Sequence, residues 1–235
     1  DLPGLVAAAA TGRPVIPCYI LDDISPGDDA MGSASRWWLH HALTSLNVSL
    51  DGKLNIYAGD PQQVLSAVAL ETSAQGVFWN RCYEPQSIAR DAAIKASLKA
   101  SGLAVQSFNG SLLWEPWQVV KKDGTPYKVF TPYYRRGCLQ QPAPRRPLPA
   151  PSDMQLLKTE SDVSLDSLAL LPTIGWDAKL QEHWDISEAG GQDRLEAFIF
   201  NGIQNYREGR NFPNKENVSR LSPYFHFGQV SVNTA

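Results

Sequence analysis

Residues 53–81 read KLNIYAGDPQQVLSAVALETSAQGVFWNR, and this stretch decides the fold. Its two ends, 53–60 and 75–81, are short apolar runs that finish in polar or glycine residues, as buried strands do. The intervening segment 61–74 begins with a proline at a permitted first-turn position, directly after Asp60, a candidate N-cap. A strand, a helix and a strand in this order predict a βαβ unit with parallel strands.

The same alternation continues on both sides of this unit. Residues 13–23 and 103–110 predict two further strands, and residues 35–50 and 87–102 predict two further helices. Because the strand runs are continuously apolar, they predict an α/β fold with a doubly wound, mainly parallel sheet. One face of the helix over 35–50 carries residues spaced four apart: Trp38, Ala42, Leu46 and Leu50.

The first twelve residues predict one more helix. Asp1 can cap it, Pro3 lies in its first turn, and Gly12 ends it. In a βαβ arrangement such a helix follows a strand. We therefore expect that the first strand is lacking or supplied separately.

Length, charge and cysteine usage restrict the class of protein. At 235 residues and 43% hydrophobic content, the chain suits one domain plus part of another. The net charge of −3 means that any contact with nucleic acid needs a local basic face. No apolar run approaches the roughly 18 residues that a membrane-spanning helix needs. Three widely spaced cysteines favour a reduced, cytoplasmic protein: Cys18, Cys82 and Cys138.

The composition changes after the predicted sheet. Residues 140–153 contain five prolines, which predict an irregular surface connector that continues through the Ser-rich stretch to 167. Helical periodicity resumes at 190, with an apolar side made of Leu195, Phe198, Ile199 and Ile203. We therefore divide the chain into an α/β domain at 1–135, a connector at 136–189 and the beginning of a helical domain at 190–235.

Two polar groups are candidates for a site. Asn80, Arg81 and Glu84 follow a predicted strand, where ligands of open α/β sheets bind, or they tie down their own loop. Residues 218–222, VSRLS, place hydroxyls around an arginine, which suits a phosphate. The same turn could instead cap a helix, with Arg220 paired to an internal carboxylate.

The sequence lacks the common catalytic and nucleotide-binding motifs. It contains no GxGxxG turn, P-loop or HExxH pattern, and its three cysteines have no zinc-like spacing. The adjacent His40 and His41 are interpreted as a pair at the surface or the core edge. We therefore predict no metal site and no catalytic side chain within these residues.

Six blocks, taken together, resemble the DNA photolyase/cryptochrome family in order and over nearly the whole chain. The resemblance implies an antenna domain, a connector and an all-helical domain that binds FAD in a U shape. It also implies that the first strand is lacking and that the helical domain is only begun. The blocks are SASRWWLHHAL, GDPQQVL, VFWNRCYEP…ARD, FNGSLLWEPW, PYKVFTPYYR and SRLSPYFHFGQVS.

The resemblance also implies roles for individual residues. Tyr206 lies twelve positions before Val218, the first residue of the turn at 218–222, which is the spacing found in the family. In the family the corresponding residues line FAD near its phosphates. Val218 stands where the family has a threonine, so the hydroxyl that would hydrogen-bond FAD there is lacking. Arg210 resembles a position on the DNA-facing rim. The residues that match the family's turn after Val218 are Ser219, Arg220, Leu221 and Ser222.

The activity implied is light-driven repair of cyclobutane pyrimidine dimers by electron transfer from reduced FAD, as in bacterial-type photolyases. These residues alone are expected to be inactive. The partner is dimer-containing DNA, and we expect a monomer. The antenna stays open between reduced folate and deazaflavin. Folate-binding members of the family carry an Asn-Glu pair where this chain has Gln86 and Ser87, and deazaflavin-binding members carry an acidic residue where it has Cys82. The alternatives are a cryptochrome photoreceptor and a non-catalytic nucleotide-binding or electron-transfer flavoprotein module.

Overall fold

Two parallel strand pairs form the α/β half of the protein. The structure, a computed structural model, describes residues 1–27 and 30–235. Strand β1 (Cys18–Leu21) pairs with β2 (Asn55–Ala58), and β3 (Gly76–Asn80) pairs with β4 (Ala104–Phe108). The predicted α/β class and parallel pairing are confirmed. The four strands form two separate sheets rather than one, because no strand of the described residues lies between β1 and β3.

Four helices alternate with these strands, as predicted. They are α1 (Pro3–Ala9), α2 (Ser33–Ser49), α3 (Pro61–Thr72) and α4 (Pro85–Ala100). The predicted N-cap of α3 is confirmed, since Oδ1 of Asp60 accepts a 2.9 Å hydrogen bond from the Gln63 backbone N–H. Gly102, with φ +85°, supplies the left-handed residue just after α4.

Helix α2 lies between two hydrophobic clusters. Leu39 and Leu43 pack with residues of β1 and β2, whereas Trp37 and Trp38 pack with Leu195, Leu221 and Tyr224 of the C-terminal part. The apolar surface of α2 is therefore wider than the single predicted face. Leu46, on the predicted face, is 37% exposed and borders a cavity between the strand pairs.

The connector is irregular but partly buried. Helix α5 (Phe130–Pro132) and a π-helical turn (Tyr133–Gly137) lead into it, and it contains 3-10 turns (Cys138–Gln140 and Leu165–Leu168) and α6 (Ala178–Gln181). No regular helix or ladder strand interrupts the proline-rich residues 140–153, as expected.

The expected surface position of residues 140–167 is wrong at Thr159, which is 7% exposed. The Asn55 side chain is fully buried, accepts a 2.7 Å hydrogen bond from the Thr159 backbone N–H and donates one of 3.0 Å to the Leu157 carbonyl. Leu168 and Leu170 join the cluster beside β1. Backbone groups at the edge of the sheet are satisfied by this segment.

The C-terminal part is helical, as predicted. One irregular helix runs through α7 (Glu188–Ala197), a π-helical turn (Phe198–Gly202), a 3-10 turn (Ile203–Asn205) and α8 (Tyr206–Gly209), and α9 (Ser222–His226) follows. The predicted apolar side is buried at Leu195, but Ile199 and Ile203 are 45% and 52% exposed. A π-helical turn follows Ala197, so the regular helical period does not continue through this side of the helix.

Over residues 1–27 and 30–235, the search for membrane-spanning helices finds none that is both long and apolar enough. The same residues contain no cluster of three or more metal-ligating side chains.

Candidate cofactor-binding turn

The turn at 217–222 is docked on the irregular helix that carries Tyr206. The Asn217 side-chain Nδ2 donates a 3.3 Å hydrogen bond to the carbonyl of Gly202. Gly209 allows the close approach, since a Cβ there would lie 2.2 Å from Oδ1 of Asn217. The structure thus brings the two parts of the predicted site, the helix of Tyr206 and the VSRLS turn, onto one surface.

Arg220 has a strained backbone within this turn. Its φ is +54°, in the left-handed region where residues other than glycine are uncommon and pay about 1–3 kcal/mol. Contacts of the next residue, Leu221, hold this conformation. Its side chain is buried in the hydrophobic cluster around α2, where it is 3% exposed, and its N–H donates a 3.4 Å hydrogen bond to Oγ of Ser219. Such strain is typical of binding sites.

The guanidinium of Arg220 has no internal carboxylate partner among the residues that the structure describes. Arg36, Arg81, Arg90 and Arg145 each do have one. Within residues 1–27 and 30–235, the alternative in which Arg220 pairs with an internal carboxylate has no support. An exposed, unpaired cation beside two hydroxyls suits a phosphate dianion or diphosphate.

The other predicted residues of this site differ in exposure. Val218 and Tyr206 are 39% and 38% exposed, Ser219 is half-buried, and Ser222 is exposed at the start of α9. Exposed side chains can reach a ligand, whereas Leu221 faces the core and can contribute only its backbone. The turn can therefore bind an anion through Arg220 and the two serines.

Arg210 and Tyr206 contact each other. The Arg210 guanidinium carbon lies 5.3 Å from the centre of the Tyr206 ring, and the Phe198 ring meets the Tyr206 ring edge-on at 5.9 Å. This cation–π contact keeps Arg210 at the surface, where it is exposed.

The second predicted group lies at the end of β3. Oδ1 of Asn80 accepts a 3.1 Å hydrogen bond from the Gly4 N–H, so Asn80 fastens α1 to β3. Arg81 pairs with Glu115 and also donates to the Ser107 carbonyl and hydroxyl. Glu84 is exposed just before α4 and is not part of this network.

Sequence reasoning missed the centre of the Arg81 network. Glu115 is 6% exposed and also accepts a 2.8 Å hydrogen bond from the Tyr83 hydroxyl, while Arg81 lies 5.8 Å from the centre of the Trp117 ring. Burial, together with the hydrogen bond to Glu115, raises the pKa of Tyr83 to about 12. The signal was the FNGSLLWEPW block, which holds both Glu115 and Trp117.

Comparison with known proteins gives a consistent result. Residues 1–152 match the family model described as DNA photolyase. The deoxyribodipyrimidine photo-lyase of Agrobacterium fabrum is 39% identical over 98% of this chain and 48% of its own length. Cryptochrome-1 of Arabidopsis thaliana is 35% identical over 99% of this chain and 35% of its own length. The chain therefore spans about half or less of these relatives.

Solved structures share the fold. A bacterial class III photolyase from Agrobacterium tumefaciens superimposes with a TM-score of 0.90 at 37% identity, over 98% of this chain and 48% of its own. An archaeal photolyase from Sulfolobus tokodaii, solved with two FAD molecules, gives a TM-score of 0.71 at 20% identity, over 98% of this chain and 50% of its own. The α/β arrangement described above is thus that of the N-terminal part of these proteins.

Proposed function

This chain belongs to the DNA photolyase family, and we propose that it forms part of a light-driven enzyme that splits cyclobutane pyrimidine dimers in DNA. FAD in its reduced state would supply an excited electron for this reaction. The observation that carries the proposal is the VSRLS turn, in which an arginine without a carboxylate partner among the described residues is held in a strained conformation beside two serines. The proposed reaction uses no metal ion.

The residues of this chain would bind one end of FAD. Arg220 donates charge-assisted hydrogen bonds to a phosphate, and the hydroxyls of Ser219 and Ser222 donate to phosphate oxygens. The backbone N–H of Leu221 donates a weak 3.4 Å hydrogen bond to Oγ of Ser219. It can donate to the phosphate only by giving up that bond. Tyr206 lines the edge of the site, and Val218 supplies an apolar contact in place of a hydroxyl.

DNA containing pyrimidine dimers is the proposed partner, and Arg210 is the residue of this chain proposed to contact its backbone. The exposed guanidinium of Arg210 can bind a phosphate, a contact that positions DNA without reading its sequence. A base damaged in a dimer is extruded at a lower unstacking cost than an intact one. We further propose a monomeric, cytoplasmic protein, in keeping with three free thiols among the described residues.

The antenna cofactor is proposed to be a reduced folate or a deazaflavin near the end of β3. Asn80, Arg81 and Glu84 are the residues proposed to border it. Glu84 has no side-chain hydrogen bond to the parts of the chain that the structure describes, whereas Asn80 binds Gly4 and Arg81 binds Glu115. For Asn80 or Arg81 to contact the antenna cofactor, its side chain would have to bind the cofactor and its present partner, Gly4 or Glu115, at the same time.

A chimeric protein tests the proposed activity. Residues 1–235 are joined to the second half of the Agrobacterium fabrum relative, and splitting of thymine dimers in an oligonucleotide is followed under blue light and in darkness. We expect light-dependent repair by the chimera and none by residues 1–235 alone. A chimera that binds FAD but repairs nothing in light would contradict the proposal.

The cryptochrome alternative is favoured by one observation, the 35% identity to Arabidopsis cryptochrome-1. It predicts FAD binding and photoreduction by the chimera without dimer splitting. The non-catalytic module predicts instead that residues 1–135 bind an adenine nucleotide by themselves. Isothermal titration of that fragment with ATP and FAD distinguishes it from both light-dependent functions.

A further inference from the structure

Residues 121–146 concentrate positive charge in a chain whose net charge is −3. They contain seven of its 21 lysines and arginines and one acidic residue, Asp123. Arg145 pairs with Asp1, and within residues 1–27 and 30–235 no other cation of this segment takes part in a salt bridge. The segment is therefore a local basic face of the kind that contact with nucleic acid requires in this chain.

These residues form a packed unit. The Lys121 N–H donates a 2.9 Å hydrogen bond to the Thr125 carbonyl and closes a tight turn. The π-helical turn that follows ends at Gly137, where a Cβ would lie 2.7 Å from Cγ1 of Val119 and 3.1 Å from a ring carbon of Tyr127. The absence of a side chain at Gly137 permits this close approach. The cations between 121 and 136 therefore belong to one folded unit.

Two aromatic rings on this unit are exposed to solvent. Phe130 is 73% exposed, and Tyr134, one helical turn later, is 46% exposed. Their rings are parallel to within 5°, with 5.9 Å between the ring centres. Large apolar side chains that are exposed together are characteristic of interaction surfaces. The pair presents flat apolar faces on which another planar ring can stack.

Three cations adjoin these rings. Lys128 precedes Phe130 by two residues, and Arg135 and Arg136 follow Tyr134 within the π-helical turn. All three cations are exposed, and π-helical turns are frequent at functional sites. We call the five residues together the basic–aromatic surface: Lys128, Phe130, Tyr134, Arg135 and Arg136.

We propose that the basic–aromatic surface binds single-stranded nucleic acid without regard to its sequence. Unpaired bases can stack on the rings of Phe130 and Tyr134, and the three cations can contact the neighbouring phosphates. An acidic peptide would satisfy the cations but not the rings, and a duplex keeps the faces of its bases stacked on one another. The surface does not include Arg210, and binding to it needs neither a pyrimidine dimer nor light.

Removal of the two rings tests the stacking contact. Binding of residues 1–235 to a fluorescein-labelled oligothymidylate of about twenty nucleotides is measured by fluorescence anisotropy in darkness. Phe130→Ala combined with Tyr134→Ala should raise Kd by about ten-fold or more, because both stacking faces are lost. Phe200→Ala is the matched control and should leave Kd unchanged, since Phe200 is 75% exposed and lies outside the surface. An unchanged Kd in the double variant would overturn the proposal.

Reversal of the two arginine charges tests the phosphate contacts. Arg135→Glu combined with Arg136→Glu should raise Kd and reduce the slope of log Kd against log salt concentration by about 1.4, at roughly 0.7 for each lost contact with a single strand. Lys99→Glu combined with Lys179→Glu changes the net charge equally at exposed positions elsewhere and should leave the slope unchanged. Equal slopes for the two double variants would mean that only net charge matters, and the proposal would be wrong.

Two competing partners are distinguished by the same measurement. The single strand should bind at least about ten-fold more tightly than a duplex of the same length, because the duplex has no free base faces. Equal affinity for the duplex would exclude the stacking role. Equal affinity for poly-glutamate would exclude it in favour of an acidic protein partner.

Photochemical cross-linking locates the contact in the unsubstituted protein, so it does not depend on the folding of variants. An oligothymidylate that carries 5-iodouracil is irradiated with the protein, and tryptic peptides are identified by mass spectrometry. Cleavage after Lys128 and Arg135 releases VFTPYYR, residues 129–135, which we expect to carry the cross-link. The same peptide should be labelled in the chimera with the Agrobacterium fabrum relative. Cross-links confined to other peptides would overturn the proposal, and in the chimera they would show that the helical half covers this surface.

Discussion

The indole Nε1–H of Trp38 donates a 2.8 Å hydrogen bond to Oε1 of Gln229, although the two residues are 191 positions apart in sequence. The Trp38 ring also meets Trp184 and Tyr224 edge-on, each at 5.1 Å between ring centres. Helix α2 therefore belongs to the core of the α/β part and to the core of the helical part at once. The position of the VSRLS turn depends on this shared core through Leu221.

Replacing Trp38 tests this dependence. Trp38→Ala should lower the free energy of unfolding by about 3–5 kcal/mol, because it opens a cavity in the aromatic cluster. Val48→Ala on the same helix is the control; Val48 is 74% exposed, so its loss should stay within about 0.5 kcal/mol. Urea unfolding of both variants gives the values. A Trp38→Ala loss below about 1 kcal/mol would show that the two parts are stable separately.

Asn55 should be a second position where one side chain supports two segments. The fully buried Asn55 side chain donates hydrogen bonds from Nδ2 to the carbonyls of Pro17 and Leu157. Its Oδ1 accepts hydrogen bonds from the backbone N–H and the hydroxyl of Thr159. Asn55→Ala leaves several of these groups without partners, each at about 1–3 kcal/mol, so we expect a loss of about 3 kcal/mol or more. Urea unfolding gives the loss, and digestion with trypsin should show earlier cleavage at Lys158.

The exposed Asn214 serves as the control for this prediction. Asn214→Ala should change neither stability nor cleavage at Lys158 by a measurable amount. If Asn55→Ala behaves like that control, the connector does not depend on Asn55 for its attachment to the sheet.

Sequence patterns predicted the strands and helices well, because apolar period and capping residues are local signals. The face of α2 was not predictable in the same way, since its second apolar side follows from the C-terminal helices that pack on Trp37 and Trp38. Ile199 and Ile203 are more exposed than Leu195 on the predicted apolar side, and a π-helical turn interrupts the period there, which the sequence pattern does not reveal.

The two candidate sites differ in how far their residues could be recognised from local sequence. The VSRLS turn is contiguous in sequence, so its residue types could be interpreted together. Glu115 lies 34 positions from Arg81, and only folding brings the two side chains into contact. The split into two sheets could not be inferred from the strands present, because each strand run is equally apolar whether one or two of its edges are paired.

The phenol of Tyr83 predicts a dependence of stability on alkaline pH. Burial and the hydrogen bond to Glu115 raise the pKa of Tyr83 to about 12, whereas an unfolded tyrosine titrates near pH 10. The folded protein thus holds this proton more tightly than the unfolded chain does. The resulting stability is complete below about pH 10 and is lost as pH rises toward 12.

Tyr83→Phe removes this proton. The difference in unfolding free energy between the unsubstituted protein and Tyr83→Phe should therefore shrink steadily between about pH 10 and 12. Urea unfolding at several pH values across that window measures it, and the variant itself corrects for all other titrating groups. A difference that stays constant across the window would show that Tyr83 titrates normally.

The last prediction concerns Arg220 in the chimera that carries a complete helical half. Arg220→Ala removes a charge-assisted contact worth about 1.5–3 kcal/mol, so FAD affinity should fall by roughly ten- to a hundred-fold. Arg220→Lys should recover only part of the affinity, since an ammonium cannot reproduce the bidentate geometry of a guanidinium. Val218→Thr restores a hydroxyl and should leave binding unchanged or tighten it. Fluorescence titration with FAD measures all three variants.

Arg220→Gly is the matched control for the backbone. Glycine adopts a positive φ without strain, so this variant should melt at the same or a higher temperature than Arg220→Ala while binding FAD equally weakly. Because Arg220 has no carboxylate partner among the described residues, neither variant should lose stability through a broken ion pair. Unchanged FAD affinity in a folded Arg220→Ala chimera would exclude the phosphate-binding role, whatever the melting temperatures.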